Sequence, residues 1–310
     1  MLFGFTDMRY SLRQLEVFLA VARHESVSRA AKELSMSQSA VSGALADLER
    51  QFDIQLFERL GKRLQLSSLG RSVRARAEAL QQQARELENE LSSHDTVGQL
   101  RVGATLSIGN HLMVLEIARF MREHPNARVS LDVANTVEIA RKVLNFEIDI
   151  GFVEGELQEP ELQVTRWRPD ELVVFCAPEH AFATRQALTD ADLVQAAWIV
   201  REPGSGTRQA FERAMHGILP DLKIVLELQH TEAIKSAVEA GLGVGCVSRV
   251  ALAEAFRHGS LVPCRAPQRD FHRWFYSVLH ERKYQSAAVL GFLEQIGGGH
   301  RLDPMLTKSD

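Results

Sequence analysis

Residues 26–66 constrain this chain more than any other stretch. They read SVSRAAKELSMSQSAVSGALADLERQFDIQLFERLGKRLQL. The spacing predicts two short helices about a tight turn, then a two-stranded wing at Gly61 carrying Lys62 and Arg63. Just upstream, Ser11 followed by Gln14 is a capping-box signature. Leu15, Phe18, Leu19 and Ala22 then recur at helical spacing, which predicts an amphipathic helix over 12–24. Ser26 can cap a second helix over about 27–34, whose Ala30–Ala31 pair permits close approach of another helix. Ser35-Met36-Ser37 breaks it. Ser37 can cap a third helix, roughly 38–52, which buries Val41, Leu45 and Leu48.

The first turn of that third helix is polar, with Gln38, Ser39 and Ser42 mostly off the apolar stripe. A helix of this kind can enter the major groove N-terminus first, so that its opening turn faces base edges. Its unpaired amides and positive dipole end also suit phosphate oxygens. Gln38 can pair with adenine in a bidentate way, and Ser39 and Ser42 can serve several bases or phosphates. Lys62 and Arg63 stand where a wing touches backbone or minor groove, and Ser26, Ser28 and Ser37 complete the candidate DNA-facing set. The competing reading is a small helical bundle with a solvated serine-rich face.

The wing runs into a long helix, capped by Ser67 or Ser68 and extending to about Leu91. Leu69, Val73, Ala77, Leu80, Ala84, Leu87 and Leu91 are spaced four, four, three, four, three and four residues apart, a coiled-coil seam. Arg, Gln and Glu fill the positions between. So narrow an apolar stripe on a helix of roughly 37 Å predicts pairing with a second chain rather than packing on its own domain alone. Such pairing would hold two DNA-reading helices at a fixed separation and favour a partly palindromic site.

From Leu100 the period changes. LRVGATL reads as a strand, Ile108–Glu123 as a helix stopped by His124-Pro125, Val129–Ala134 as a strand, Val137–Asn145 as a helix and Ile148–Phe152 as a strand. A second unit follows: LVVFCAP, the helix TDADLVQAA, AWIVRE, the helix Thr207–His216, KIVLELQ, the helix Glu232–Ala240 and GVGCVS. FHRWFYSVLHER recrosses to the first lobe and Tyr284–Ile296 is the last helix. Strands alternating with helices predict parallel α/β sheets with right-handed crossovers. The expected organisation is a winged helix-turn-helix over 9–67, a dimerising linker helix over 68–93, a hinge over 94–98 and an effector-binding domain over 99–303. Its lobe I takes 99–173 and 274–303, and lobe II takes 174–273.

In such sheets ligands sit beyond the carboxyl ends of the strands, at the switch point between lobes. This sequence puts there Thr105 and Ser107, Asn135 and Thr136, Glu154, and the glycine-rich Arg201-Glu202-Pro203-Gly204-Ser205-Gly206-Thr207-Arg208. His230 and Thr231 begin a further helix nearby. Several helix N-termini carrying hydroxyls would converge on one cleft, a setting that favours an anion. A small oxyanion (sulfite, sulfate, or a phosphorylated or carboxylated metabolite) fits better than a flat apolar ligand. Against this, Ser and Thr commonly do no more than cap their own helices. Glu154 and Glu202 oppose a highly charged ligand unless they are turned away or paired with Arg201, Arg208 or His230.

Composition agrees with a localised DNA contact. The 310 residues suffice for two or three domains, and the net charge is only -4. The charge is uneven: residues 1–75 hold 11 Lys and Arg against 8 Asp and Glu, and the remainder 25 against 32. A mildly basic head on an acidic body predicts salt-sensitive but not extreme DNA affinity. Cys176, Cys246 and Cys264 are odd in number and lack metal-ligand spacing, so structural disulfides are not expected, a reducing cytoplasm is, and each thiol reads as a small buried apolar group. No run reaches transmembrane length and no secretion signal opens the chain. Met8 could be the native start, and GGGHRLDPMLTKSD reads as a frayed end.

The stretches LRQLEVF, SVSRAAKELSMSQSAVSGALADLE and IQLFER closely resemble the winged helix-turn-helix of LysR-type transcriptional regulators. The likeness extends over almost all of residues 9–295. It implies a linker helix that dimerises, a two-lobed effector domain related in fold to periplasmic binding proteins, assembly as a dimer or tetramer, and contact with RNA polymerase. REPGSGTR, TLSIGN, DIGFVEG and TEAIKSAV are similar to the branch that includes YeiE, CysL and CbbR, most of all to the YeiE type. That branch is associated with sulfur metabolism or carbon fixation, which points to a sulfur oxyanion as the effector.

Rival classes find little support. Gly204-Ser205-Gly206 lacks the frame of a nucleophile elbow. GLGVG at 241–245 follows a helix rather than opening one after a strand, and no phosphate-binding G-x-x-x-x-G-K-[ST] occurs. The 11 histidines are scattered, with no metal-binding pair, and no cofactor is expected. A transport binding protein would share the two lobes but needs export and has no use for residues 11–91.

Overall fold

A computed structural model describes residues 8–60, 63–92, 98–155 and 157–298. The chain divides into two compact units that part at Gly98 and Gln99, with Asn145–Glu147 and Arg282–Leu290 grouping with the first.

The first unit opens with three helices, α1 (Leu12–His24), α2 (Val27–Glu33) and α3 (Gln38–Phe52), followed by a hairpin of β1 (Phe57–Leu60) and β2 (Arg63–Leu66). The capping box at Ser11 and Gln14 is formed on both sides. Ser35 stops α2 by taking a left-handed conformation, φ 52°, and Ser37 accepts from the Ala40 amide at 3.1 Å to start α3. Val17, Phe18, Val21, Ala30, Val41, Leu45 and Leu48 share one core. α4 (Ser68–Ser92) follows the hairpin, its first turn held by Ser67 Oγ, which accepts from the Gly70 amide. Ala77 is buried in the core of this unit and Val73 packs against it. The expectation that both belong wholly to a seam for a second chain is thereby corrected: the first half of α4 docks on α1, so its apolar stripe is shared between the domain core and the exposed Leu80, Leu87 and Leu91.

The second unit holds two lobes. β3 (Gln99–Thr105), β4 (Arg128–Ala134) and β5 (Ile150–Val153) run parallel. Between β3 and β4 the chain is helical from α5 (Leu106–Ile108) through a π-turn (Gly109–Met113) to α6 (Val114–Glu123). Gly109 lies where a Cβ would come within 2.8 Å of Val133, so the helix seats itself directly on the sheet. α7 (Thr136–Leu144) connects β4 to β5. The second lobe contains α8 (Asp190–Gln195), β7 (Ala197–Arg201), α9 (Gly206–Ala214), β8 (Lys223–Leu228), α10 (Thr231–Glu239), β9 (Val244–Ser248), α11 (Arg249–His258) and β10 (Val262–Cys264). α11 and β10 escape the sequence reading, and the last helix, α12 (Ala287–Gly298), starts later than expected.

The lobes are joined by β6 (Leu162–Cys176) and β11 (His272–His280), which pair antiparallel from Leu162↔His280 to Glu171↔His272. β6 continues past Glu171 to pair with β9 and β10, giving the order β4-β3-β5-β11-β6-β9-β7-β8 with β10 on β6. The expected parallel sheets are therefore mixed. The crossing strands must return through the same boundary, and they do so antiparallel. Phe152, Trp167, Phe275 and Phe292 are buried in lobe I, with Phe152 and Trp167 edge to face. Trp198 and Phe211 pack with tilted rings in lobe II, centroids 5.0 Å apart, and the Trp198 indole donates to Leu193 O at 2.8 Å.

Candidate functional sites

On the first unit, Gln38, Ser39 and Ser42 are exposed on the opening turns of α3 and Ser28 is exposed on α2. Gly43 beside them has nothing within 4 Å of a built Cβ. Ser26 and Ser37 are N-caps, Ser26 accepting from the Arg29 amide. Both hydroxyls thus have work in the fold. Lys62 lies outside the described residues; Arg63 opens β2 opposite Leu60.

Beyond Ala77, α4 turns Leu80, Leu87 and Leu91 outward with exposures of 36, 57 and 80%. Leu12 and Arg13 of α1 line with Ala84, Leu87 and Leu91 a groove of about 630 Å³. A column of large apolar side chains in water on one helix face is the mark of an association surface. Leu69, at the other end, is also exposed.

In the second unit the strand ends converge on one buried carboxylate. Glu154 follows β5 directly and is 3% exposed. Its Oε1 accepts the Ser107 backbone amide at 3.0 Å, at the start of the helical run after β3. Its Oε2 accepts the Thr207 hydroxyl at 2.6 Å from the first turn of α9, across the lobe boundary. Arg273 on β11 donates Nη1 to the same oxygen at 3.2 Å and Nε to Asp170 at 2.7 Å, and the Ser248 hydroxyl donates to Asp170 at 2.7 Å. Burial alone would raise the pKa of Glu154, but the Arg273 guanidinium and the hydrogen bonds from Thr207 and Ser107 hold it at about 2. Burial dominates at Asp170, whose pKa is raised despite Arg273.

The lobes touch here backbone to backbone. A Cβ on Gly206 would stand 2.4 Å from the Gly155 amide nitrogen. Ser205 caps α9 through its Oγ, and Asn135 caps α7 by accepting the Glu138 amide at 3.0 Å. Arg201 is turned to Glu202, with Nε and Nη2 at 2.8 and 2.9 Å from the two carboxylate oxygens, so its charge is already answered. Arg208 donates to Glu212, Glu227 and Arg201 O. His230 is exposed ahead of α10 and Thr231 is buried. At the rim His111 Nε2 lies 3.9 Å from a Glu232 oxygen, and burial pushes the His111 pKa below its ordinary value against the pull of Glu232.

Among the described residues, the hydroxyls of Thr105, Ser107 and Thr136 and Nη2 of Arg273 are buried without a hydrogen-bond partner. Unanswered polar atoms in such a group are costly inside a protein. Sequence reasoning missed Arg273, Asp170 and Ser248, which complete the network. No group of three metal-ligating side chains occurs among the described residues, and no helix of theirs is long and apolar enough to cross a membrane.

A helix-turn-helix with an exposed polar first turn, followed by a two-lobed α/β domain with a polar interlobe site, defines a DNA-binding regulator with an effector domain. The comparisons with known proteins agree. Residues 12–71 match the model of the bacterial regulatory helix-turn-helix protein, lysR family, and residues 93–300 that of the LysR substrate binding domain. The chain belongs to the LysR family of transcriptional regulators. It is 40% identical over 287 residues to the HTH-type transcriptional regulator YeiE of Escherichia coli (strain K12), covering 93% of this chain and 97% of the relative. To the RuBisCO operon transcriptional regulator of Allochromatium vinosum it is 35% identical, covering 93% and 95%. Its body is similar to the Synechocystis PCC6803 CcmR regulatory domain in complex with 2-PG, with a TM-score of 0.62 and 26% identity over 66% of this chain and 99% of that one.

Proposed function

We propose that a small anion, a sulfur oxyanion of the sulfite or sulfate type foremost, enters the interlobe site and modulates operator binding or promoter activation in the cytoplasm. The observation that carries this reading is the set of buried, unpartnered hydroxyls of Thr105, Ser107 and Thr136, grouped at strand ends and helix starts where anions are favoured. The complex of the related CcmR domain with 2-PG supports a small ligand in a domain of this kind. Glu154 narrows the choice. An ionised carboxylate only accepts hydrogen bonds, so the ligand must bring a proton to it or leave it to Arg273. Gln38, Ser39 and Ser42, with Ser28, Lys62 and Arg63, contact a partly palindromic duplex. Leu69, Leu80, Ala84, Leu87 and Leu91 pair two chains, and effector domains join dimers into tetramers that meet RNA polymerase. The ligand acts through its different affinity for the arrangements of the lobes.

Thermal unfolding with sulfite, sulfate and phosphate, followed by binding to the fragment upstream of a neighbouring gene with each anion that shifts the melt, tests this. A sulfur oxyanion is expected to raise the melting temperature and change fragment binding, and Thr105→Val with Ser107→Ala to abolish both effects. If no oxyanion moves either measurement, the reading is rejected.

A further inference from the structure

The crossing strands and α9 enclose a second cavity, of about 230 Å³. Arg166 of β6 and Tyr276 of β11 are register partners in its wall. Trp274 lies beside them, and the Arg166 guanidinium sits 5.2 Å from the centre of its ring. Stacking of this kind uses the flat face of a guanidinium and leaves its N–H edge for a ligand. From α9 come Gln209 and Arg213, four residues apart and hence on one face of the helix. Arg213 is held by donating Nη2 to His272 O at 3.2 Å. The lining lacks Thr105, Ser107 and Thr136 of the interlobe site and shares with that site Glu154 and Arg273.

Arg273 is 5% exposed. Its Nε and Nη1 are engaged by Asp170, Glu154 and Thr207, and its Nη2 is buried with no hydrogen-bond partner. A guanidinium edge left unanswered away from water costs free energy, which an acceptor placed beside it recovers. The charge of the lining points the same way. Arg166, Arg213 and Arg273 stand against Glu154 and Asp270, three positive groups to two negative, an excess of one. Both carboxylates are already answered. Glu154 accepts from Ser107, Thr207 and Arg273, and Asp270 lies 3.0 Å from the amide and 2.9 Å from the ring nitrogen of His272.

We propose that this cavity is a second ligand site, distinct from the interlobe site, and that it takes a small organic monocarboxylate. A planar carboxylate matches the fork of a guanidinium edge, and the Gln209 amide and Tyr276 hydroxyl can donate to a further oxygen, as on a 2-oxo acid. One excess positive charge suits a monoanion, and the volume is too small for a nucleotide. The site stands whether or not an oxyanion fills the interlobe cleft. The two share α9, whose first turn meets Glu154 through Thr207 and whose later turns wall the cavity. A carboxylate that engages Arg273 therefore acts on the residue that grips Glu154.

Intrinsic fluorescence of the full wild-type chain, titrated with pyruvate and with acetate at constant ionic strength, tests this, because Trp274 stands in the wall as a reporter. A saturable change is expected, lost in Trp274→Phe. Isothermal titration calorimetry follows the same binding without a fluorophore. There Arg166→Ala is expected to weaken pyruvate binding tenfold or more and Arg166→Lys to restore part of it, while Thr105→Val with Ser107→Ala leaves it unchanged. Succinate, a dianion, should bind more weakly than pyruvate. The Arg166 side chain is exposed, and circular dichroism checks that each variant is folded. Absence of saturable pyruvate or acetate binding to the wild-type chain would overturn the proposal, and that titration needs no variant to fold. So would binding that survives Arg166→Ala but is lost in Thr105→Val with Ser107→Ala, since the acid would then occupy the interlobe site. Succinate binding as tightly as pyruvate would overturn the assignment to monocarboxylates.

Discussion

Glu154 holds together more of the interlobe site than any other side chain. It ties the start of the helical run after β3, the first turn of α9 and the returning strand β11 to one carboxylate. Its depressed pKa fixes the sign of its pH dependence. The stability it contributes is fully present above the ordinary glutamate value of 4.5 and is lost as the pH falls towards about 2. Asp170 opposes it, since its raised pKa makes its own contribution disappear as the pH rises. Comparison at Glu154 alone separates the two. Glu154→Gln is expected to lower stability by on the order of 3 kcal/mol at neutral pH, and urea unfolding at pH 7 and pH 3.5 should show the gap to wild type narrowing in acid. A constant gap would mean that the Glu154 carboxyl titrates alike in the folded and unfolded chain.

Elements differ in how far they can be read from residues alone. The helices of the first unit were legible because caps and apolar spacing lie within a few positions of one another, as at Ser11–Gln14 and Ser37–Ala40. The crossing strand β6 was legible only at its apolar end. Its first half, LQVTRWRPDE, alternates charged and apolar groups without an apolar run, because one edge pairs with β11 while its arginines face outward or stack, as Arg166 does over Trp274. The strand-end residues of the candidate site could be named from the βα pattern. Arg273 and Asp170 could not, for they meet only through a pairing 103 residues apart in sequence. α4 carries the same lesson within one helix. Spacing put Val73 and Leu87 on one stripe, yet Val73 packs on the domain core and Leu87 stands in water. The two positions therefore predict different failures. Leu87→Glu should yield folded monomer in analytical ultracentrifugation with an unchanged far-ultraviolet spectrum, whereas Val73→Glu should unfold the winged helix itself. A dimeric Leu87→Glu chain would move the association surface elsewhere.

For the effector domain as a whole, the decisive contact is the absence of two side chains. Gly206 and Gly155 let the lobes approach backbone to backbone, and a methyl group at Gly206 would stand 2.4 Å from the Gly155 nitrogen. Neither atom has a flexible end that could yield, so the lobes must separate by about the width of that group. Gly206→Ala is expected to break the Thr207–Glu154 hydrogen bond, to increase the radius of gyration measured by small-angle scattering, and to weaken response to any anion that shifts the wild-type melt by tenfold or more. Binding of the operator fragment without anion should survive, since the helices that meet DNA belong to the other unit. Unchanged scattering would show that the glycine contact does not set the lobe spacing.

The continuity of β6 also limits how this domain can be dissected. One uninterrupted segment supplies a border to one sheet and an interior member to the other. A cut placed after Asp170 would sever β6 between its pairing with β11 and its pairing with β9 and β10, leaving each lobe a truncated stub of the strand and sticky fragments in place of two modules. Gene fusions, permuted chains and crystallographic truncations of this regulator must therefore carry both halves together, and a natural relative that lost either half would have to rebuild the sheet of the survivor.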